Sequence, residues 1–314
     1  MTAQTEVRTG RGRPGAGPGR ARPRGVAVAL LALPVAALLA GHRLVPGEAG
    51  TLLDTALPWL GLPLLPLALI ALVRRAWTGL GATAAAAAVW AALFGTAFVP
   101  SGSGPYDLRA MSQNMYAGNT EPAATTARLL ADRPDVLALE EMRQGAATRK
   151  LDAAYPHHVV KGTVGLWSRF PVSGARIVDL DIGWPRALRA TLTTPRGPLT
   201  VYVAHLGSAR PGQTRKRDIT MDHLAAAVRA DRSGRVLLLG DLNTAATDRK
   251  LGALVPGLRE AQRAAGTGLG FTWPASFPVT RPDHILYRGL RPVHAAAVRT
   301  PGSDHRAVRA DFRF

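Results

Sequence analysis

The chain has 314 residues, enough for one or two domains, and contains no cysteine. Disulfides, thiolate metal sites and cysteine nucleophiles are therefore excluded. Its 39 lysines and arginines against 21 acids give a formal charge of +18. Such a charge suits phosphate-bearing partners, nucleic acid or anionic lipid alike, although an arginine- and alanine-rich composition would produce the same excess.

Residues 1–25 are rich in Gly, Pro and Arg (Arg8, Arg11, Arg13, Arg20, Arg22, Arg24) without an apolar period, and disorder is expected there. A membrane region is expected over residues 26–100. Within it, apolar stretches at about 26–45, 52–73 and 76–99 each approach the roughly 20 residues a helix needs to cross a bilayer. His42 and Arg43 shorten the first, and Asp54 lies at the edge of the second. Pro34, Pro58, Pro63 and Pro66 would break soluble helices but are tolerated in lipid. Trp59, Trp77 and Trp90 include candidates for interfacial anchors. The positive-inside rule puts the arginine-rich tail and Arg74-Arg75 in the cytoplasm, so three crossings of the cell membrane deliver everything after residue 100 to the outside. A cleaved signal peptide would explain the first stretch but not the second and third.

Ser101-Gly102-Ser103-Gly104-Pro105 reads as a linker, and residues 105–314 as one catalytic-type domain. Strands are expected at Asp107–Asn114, Asp135–Glu141, Val159–Ser168, Arg176–Leu180, Ala187–Thr194, Leu199–Ala204, Arg235–Leu239, Asp283–Tyr287, His294–Arg299 and Arg306–Phe312. Helices are expected at Thr120–Ala131 and Arg210–Ala230. Many strands broken by few helices indicate a layered α/β sandwich of the α+β type rather than a doubly wound sheet.

Polar and ionisable residues collect where these strands end. Asn114 closes the first strand, Glu141 the second, and His205 follows Val201-Tyr202-Val203-Ala204. Asp241 and Asn243 follow the apolar run Val236-Leu237-Leu238-Leu239, while Asp283 opens a strand and Asp304-His305 precede the last one. One strand-end Asn or Asp is usually a turn former, but eight such groups at strand borders ask for a common cause. Carboxylate, amide and imidazole together can hold a divalent cation, orient a water and move a proton at a phosphate ester. A hard cation prefers oxygen ligands and keeps waters, so one or two carboxylates suffice. No closed histidine cage is visible. His157-His158 reads as a surface pair, His223 as a facing or surface residue, and His284 and His294 as poor candidates for catalysis.

The segments SQNM (112–115), DVLALEEM (135–142), GLWSRFPV (165–172), VAHL (203–206), GDLN (240–243), RPDHIL (281–286) and SDHR (303–306) run in the order of a known family. On them the chain resembles the endonuclease/exonuclease/phosphatase superfamily, of deoxyribonuclease-like fold, over about residues 105–314. The resemblance implies a four-layer sandwich, two mixed β-sheets flanked by helices, here preceded by about three transmembrane helices. It also implies hydrolysis of phosphate esters with magnesium, manganese being the alternative. Glu141 matches the family's metal-binding glutamate, and Glu140 stands where a glutamine is usual. Asn114 would help hold metal or phosphate, and Asp304 would lie beside the metal. His305 would serve as general base or phosphate contact, oriented by Asp283. Asp241 would position the attacking water, Asn243 would donate to the phosphate, and His205 would donate to a phosphate oxygen or protonate the leaving group. The expected activity is that of a membrane-anchored phosphodiesterase or nuclease acting outside the cytoplasm. The alternatives are a phosphoesterase of phospholipid or phosphoinositide headgroups and a non-catalytic scaffold.

Overall fold

The structure is a computed structural model that describes residues 25–99, 102, 104–143, 145–254 and 256–314. The expected disordered tail up to residue 24, and Ser101 and Ser103 of the expected linker, lie outside these residues. By length and composition, three helical stretches could cross a membrane: Val26–Leu44, Gly47–Val73 and Trp77–Phe98. The first contains helix α1 (Val26–Gly41) and the third α4 (Trp77–Phe94), which pack along one another. The second is interrupted. The more polar α2 (Gly47–Ala56) gives way at Leu57–Gly61 to a tight 3₁₀ turn between Ala56 and Pro63, and α3 (Leu64–Val73) continues. Pro58 and Pro63 lack the amide hydrogens a continuous helix needs, which accounts for the break.

After residue 105 the chain builds β1 (Leu108–Asn114), α5 (Pro122–Ala131), β2 (Val136–Glu140), α6 (Ala146–Ala154), β3 (His157–Lys161), β4 (Val164–Ser168), β5 (Val172–Ile177) and β6 (Ala187–Thr194). It continues with β7 (Gly197–Ala204), α7 (Thr214–Ala230), β8 (Val236–Asp241), β9 (Arg259–Glu260), α8 (Ala261–Ala265), β10 (Asp283–Arg288), β11 (Arg291–Val298) and β12 (Ala307–Arg313). Two mixed six-stranded sheets result, in the orders β11-β12-β1-β2-β4-β3 and β5-β6-β7-β8-β10-β9. Alternation along each strand decides the layers. Leu237 and Leu239 of β8 meet Ala110, Val136, Ala138 and Val308 of the other sheet in a shared core. Val236 and Leu238 turn the other way, onto Met221, Leu224 and Val228 of α7. Met111, Leu137 and Leu139 likewise face Leu129 of α5 and Leu151 of α6. The result is the expected four-layer sandwich.

Two expected strands differ. The one expected at Arg176–Leu180 is β5 at Val172–Ile177, because Val172 and Ser173 already pair with Leu192 and Thr191 of β6. Val159–Ser168 is two strands, β3 and β4, paired antiparallel with Lys161 opposite Val164. Gly162 turns between them at φ 59°, a conformation that carries no penalty for a residue without Cβ.

The helical region is not merely tethered to the sandwich. Asp54 of α2 is fully buried, and its Oδ2 accepts from Arg249 Nε at 2.8 Å. His42 Nδ1 lies 2.6 Å from the other oxygen of Asp54, and Arg249 Nη2 donates to the His42 carbonyl at 2.8 Å. Trp59 donates its indole N–H to the Val279 carbonyl at 2.8 Å and stacks on Phe271. Buried ion pairs of this kind fix a relative position, whatever their net contribution to stability.

Candidate active site

Strand direction gathers the site. β1 and β2 are parallel, as are β7 and β8, so their C-terminal ends lie together within each sheet. β12 runs antiparallel to β1 and β10 antiparallel to β8, which brings the beginnings of those strands to the same edge. Asp283 therefore stands directly opposite Asp241 in the ladder. A Cβ on Gly240 (φ 145°) would lie 1.9 Å from the Ala204 carbonyl oxygen, so only glycine lets β8 approach β7 here. The two sheets meet at Asn114, whose Nδ2 donates to Asp241 Oδ2 at 2.9 Å and more weakly to Glu141 Oε1 at 3.3 Å.

A cleft of about 330 Å³ opens on this edge, lined among others by Tyr116, Glu141, Arg210, Asp241, Asn243, Trp273, Asp304 and His305. Tyr116, Glu141 and Asn243 are three of the six non-glycine residues with positive φ among those described. Such backbone conformations are costly for these side chains, and they gather at functional sites. Here they aim side chains into one opening. The Glu141 carboxylate is braced by the Ala117 amide, which donates to Oε2 at 2.9 Å. Asn243 donates its backbone N–H to Asp241 Oδ1 at 2.8 Å and one side-chain N–H to the Leu206 carbonyl at 3.1 Å.

Asp241, Asp283 and His305 bring ligand-type atoms within 4.8 Å of one another. The His305 Nδ1–Asp283 Oδ2 distance is 2.9 Å, a hydrogen bond, and Thr272 Oγ1 donates to the same oxygen at 2.5 Å. His305 Nε2 points toward Asp241 Oδ2 at 3.9 Å. Burial opposes charge on His305, but the Asp283 carboxylate, with Asp241 and Asp304, raises its pKa to about 10. Burial and the Asp283 charge push Asp241 up to about 6, although His305 and the hydrogen bonds from Asn243 and Asn114 pull the other way. His205 is held neutral well below the usual imidazole range by burial, with Arg186 and His305 adding repulsion. Its Nε2 sits 3.6 Å from Glu141 Oε1 and 3.7 Å from Asp241 Oδ2, while Nδ1 is buried with no hydrogen-bond partner among the described residues.

All eight sequence-derived candidates thus reach one edge. The compact trio joins Asp241, Asp283 and His305, whereas Asn114, Glu141 and Asp304 surround it. Asp304 Oδ1 is buried with no hydrogen-bond partner among the described residues, and its Oδ2 accepts from Trp273 Nε1 at 3.4 Å. Glu140 is wholly buried between the sheets, where burial drives its pKa well above the usual range against one hydrogen bond from Ser112. In its neutral form it has the shape and charge of the glutamine expected there. His284 faces away, its Nε2 2.8 Å from the Thr244 carbonyl oxygen.

Sequence reasoning missed Arg186, a partly buried cation whose charge is felt by Asp241 and Glu141. It also missed Thr272 behind Asp283, and Tyr116, Trp273 and Thr55 in the cleft wall. Nothing local distinguishes Arg186 from the chain's many other arginines. Thr55 belongs to α2, so the helical region supplies part of the site.

A model of the endonuclease/exonuclease/phosphatase family matches residues 111–305. No curated protein matches the chain significantly in sequence. Among solved structures, D. rerio TDP2 complexed with single strand DNA product aligns with a TM-score of 0.56 at 20% identity, over 66% of this chain and 99% of that one. The 3′ phosphatase NExo from Neisseria, bound to product DNA hairpin, aligns with a TM-score of 0.52 at 18% identity, over 66% and 100% of the two chains. Sphingomyelinase C from Streptomyces griseocarneus gives 0.51 at 16% identity, over 66% and 99%. At such identities the likeness is one of fold.

Proposed function

The chain belongs to the endonuclease/exonuclease/phosphatase family, and from that premise we propose that it is a divalent-metal-dependent phosphodiesterase anchored in the cell membrane by its N-terminal helices. The observation that carries this reading is that Glu141, Asp241 and His305 line one cleft, with Asn114, His205 and Asp283 in contact behind them.

Glu141, Asn114 and Asp304 would hold the metal. The fit rests on the Glu141 carboxylate and on the orphaned, buried Asp304 Oδ1, which suit a hard cation such as magnesium or, as the alternative, manganese, while Asn114 holds the Glu141 carboxylate through Nδ2. When bound, the cation would neutralise charge on the phosphoryl oxygens. Asp241, titrating near neutrality, takes up a proton from an attacking water and orients it toward phosphorus. His305 stays cationic and donates from Nε2 to a phosphoryl oxygen, its ring fixed by Asp283 through Nδ1. Neutral His205 donates one N–H toward the phosphate or the leaving oxygen. Asn243 keeps one amide N–H on the Leu206 carbonyl and has a second for the phosphate.

The domain is proposed to lie outside the cytoplasm. In support, Gly25, which follows the basic tail, packs near Ala76, while His42 at the other end of α1 reaches Arg249 of the sandwich. The cationic Arg74-Arg75 turn thus lies at the end of the helices away from the catalytic domain. The test is to incubate the detergent-solubilised full chain with plasmid DNA, RNA and labelled phospholipid, with magnesium or with chelator. Metal-dependent cleavage of a phosphate ester is expected. Absence of cleavage on every substrate, or cleavage indifferent to chelation, would sink the reading.

A further inference from the structure

The catalytic cleft is the first of three cavities in a row. Thr55, Ala245 and Thr280 line both it and a narrower cavity of about 100 Å³ between the helices and the sandwich. Pro58, Leu269 and Phe271 line both that cavity and a third, of about 340 Å³, on the helical region. The third is walled by apolar side chains and two tryptophans, Trp59 and Trp90. Both indole N–H groups are already satisfied, by the carbonyls of Val279 and Pro58 at 2.8 Å each. No polar group of the wall asks for a polar ligand, so the cavity favours an apolar one. Leu62 and Leu65 on its rim are 55% and 69% exposed, on a stretch apolar enough to cross a membrane. The buried contacts of Asp54 and Trp59 hold this wall against the sandwich.

We infer that the row is one binding path for an amphiphilic phosphoester, with the phosphate at Asp241 and His305 and an acyl chain in the Trp59–Trp90 cavity. The inference rests on the phosphodiesterase reading and narrows it to a membrane lipid. Arg210 lines the cleft and Arg263 and Arg281 the middle cavity, Arg281 already paired with Glu260 at 2.9 Å, but the third cavity is lined by no cation and offers a nucleic acid backbone nothing. In the reaction, a water oxygen bonds to phosphorus and one ester P–O bond breaks. Its electron pair stays on the leaving oxygen, which takes a proton, and the products are an alcohol and a phosphomonoester.

The experiment uses the full chain in detergent micelles with magnesium. It compares dipalmitoyl phosphatidylglycerol, bis(p-nitrophenyl) phosphate, which has no acyl chain, and a DNA oligonucleotide. Ala87→Trp narrows the third cavity from α4, and Leu62→Trp does so from its rim, a second chance should the first variant misfold. The ratio of kcat/KM for the lipid over the chainless diester is expected to fall roughly tenfold in either folded variant, the scale of a lost apolar subsite. An unchanged ratio in a folded variant, or DNA as the preferred substrate of the unaltered protein, would overturn the inference while leaving the phosphodiesterase reading intact. Inactivity of the unaltered protein on all three would bring down that reading and the inference with it.

Discussion

His305 keeps its proton in a place that should strip it away, because the Asp283 carboxylate 2.9 Å from Nδ1 outweighs the burial. Of the two roles expected for it, the proposed mechanism therefore takes phosphate contact rather than general base and assigns the base to Asp241. His305→Ala should lower kcat by about 10²–10⁴-fold, the range of a positioned acid–base group. Asp283→Asn should be severely impaired as well, and the double variant should be little worse than His305→Ala, since both disable one step. Steady-state kinetics on a phosphodiester decide it, and multiplicative losses would separate the two residues. Glu141 acts through the metal in this account. Glu141→Gln removes an anionic oxygen from a hard cation and should raise the magnesium needed for half-maximal rate. Wild-type activity at ordinary magnesium would show that the ligand lies elsewhere. These residues were legible because each borders an apolar run. Arg186 and Thr272 were not, since their place at the site comes from packing between distant segments.

At the level of elements, strands β1, β6, β7 and β8 could be read from the sequence to within two residues of their ends. The β3–β4 hairpin was hidden because Val159, Val160 and Val164–Trp167 read as one apolar run, with only Gly162 to mark the turn. Helix α6 is short and has one large apolar residue, Leu151, so the sequence reading passed over it. The docking of α2 was equally invisible, because a buried Asp54 in an apolar stretch looks like a boundary until Arg249 is placed beside it. A second polar knot ties β6 and β7 to the end of α7. Asp231 accepts from Arg189 Nε at 2.8 Å, from the Tyr202 hydroxyl at 2.7 Å and from the Ser233 amide at 2.9 Å. Burial raises the pKa of Asp231, but these partners more than reverse that and hold it well below the usual range. A carboxylate depressed in the folded state stabilises it fully above the ordinary aspartate value near 4 and loses that contribution as pH falls. Asp231→Asn should therefore cost about 1–3 kcal/mol at neutral pH and should flatten the acid limb of stability. Denaturant melts from pH 7 down to about 2 measure both, and an unchanged acid limb would refute the assignment.

Across the whole molecule, charge and hydropathy divide the work. Of the chain's +18, residues 101–314 carry 30 Lys and Arg against 18 Asp and Glu, so most of the positive field surrounds the catalytic domain. In the proposed reading that field draws anionic esters toward the cleft, and the helices would set where the cleft works. Protease added to intact cells should remove the domain after residue 100 and leave the N-terminus protected. The reverse pattern would invert the topology. The central claim is that water attacks phosphorus at the edge shared by the two sheets, and hydrolysis in ¹⁸O-labelled water tests it most directly. With bis(p-nitrophenyl) phosphate and magnesium, each turnover should place one solvent oxygen on the phosphomonoester product and none on the alcohol, and His305→Ala should suppress the incorporation in step with the rate. Label found in the alcohol, or undiminished incorporation in His305→Ala, would contradict the account.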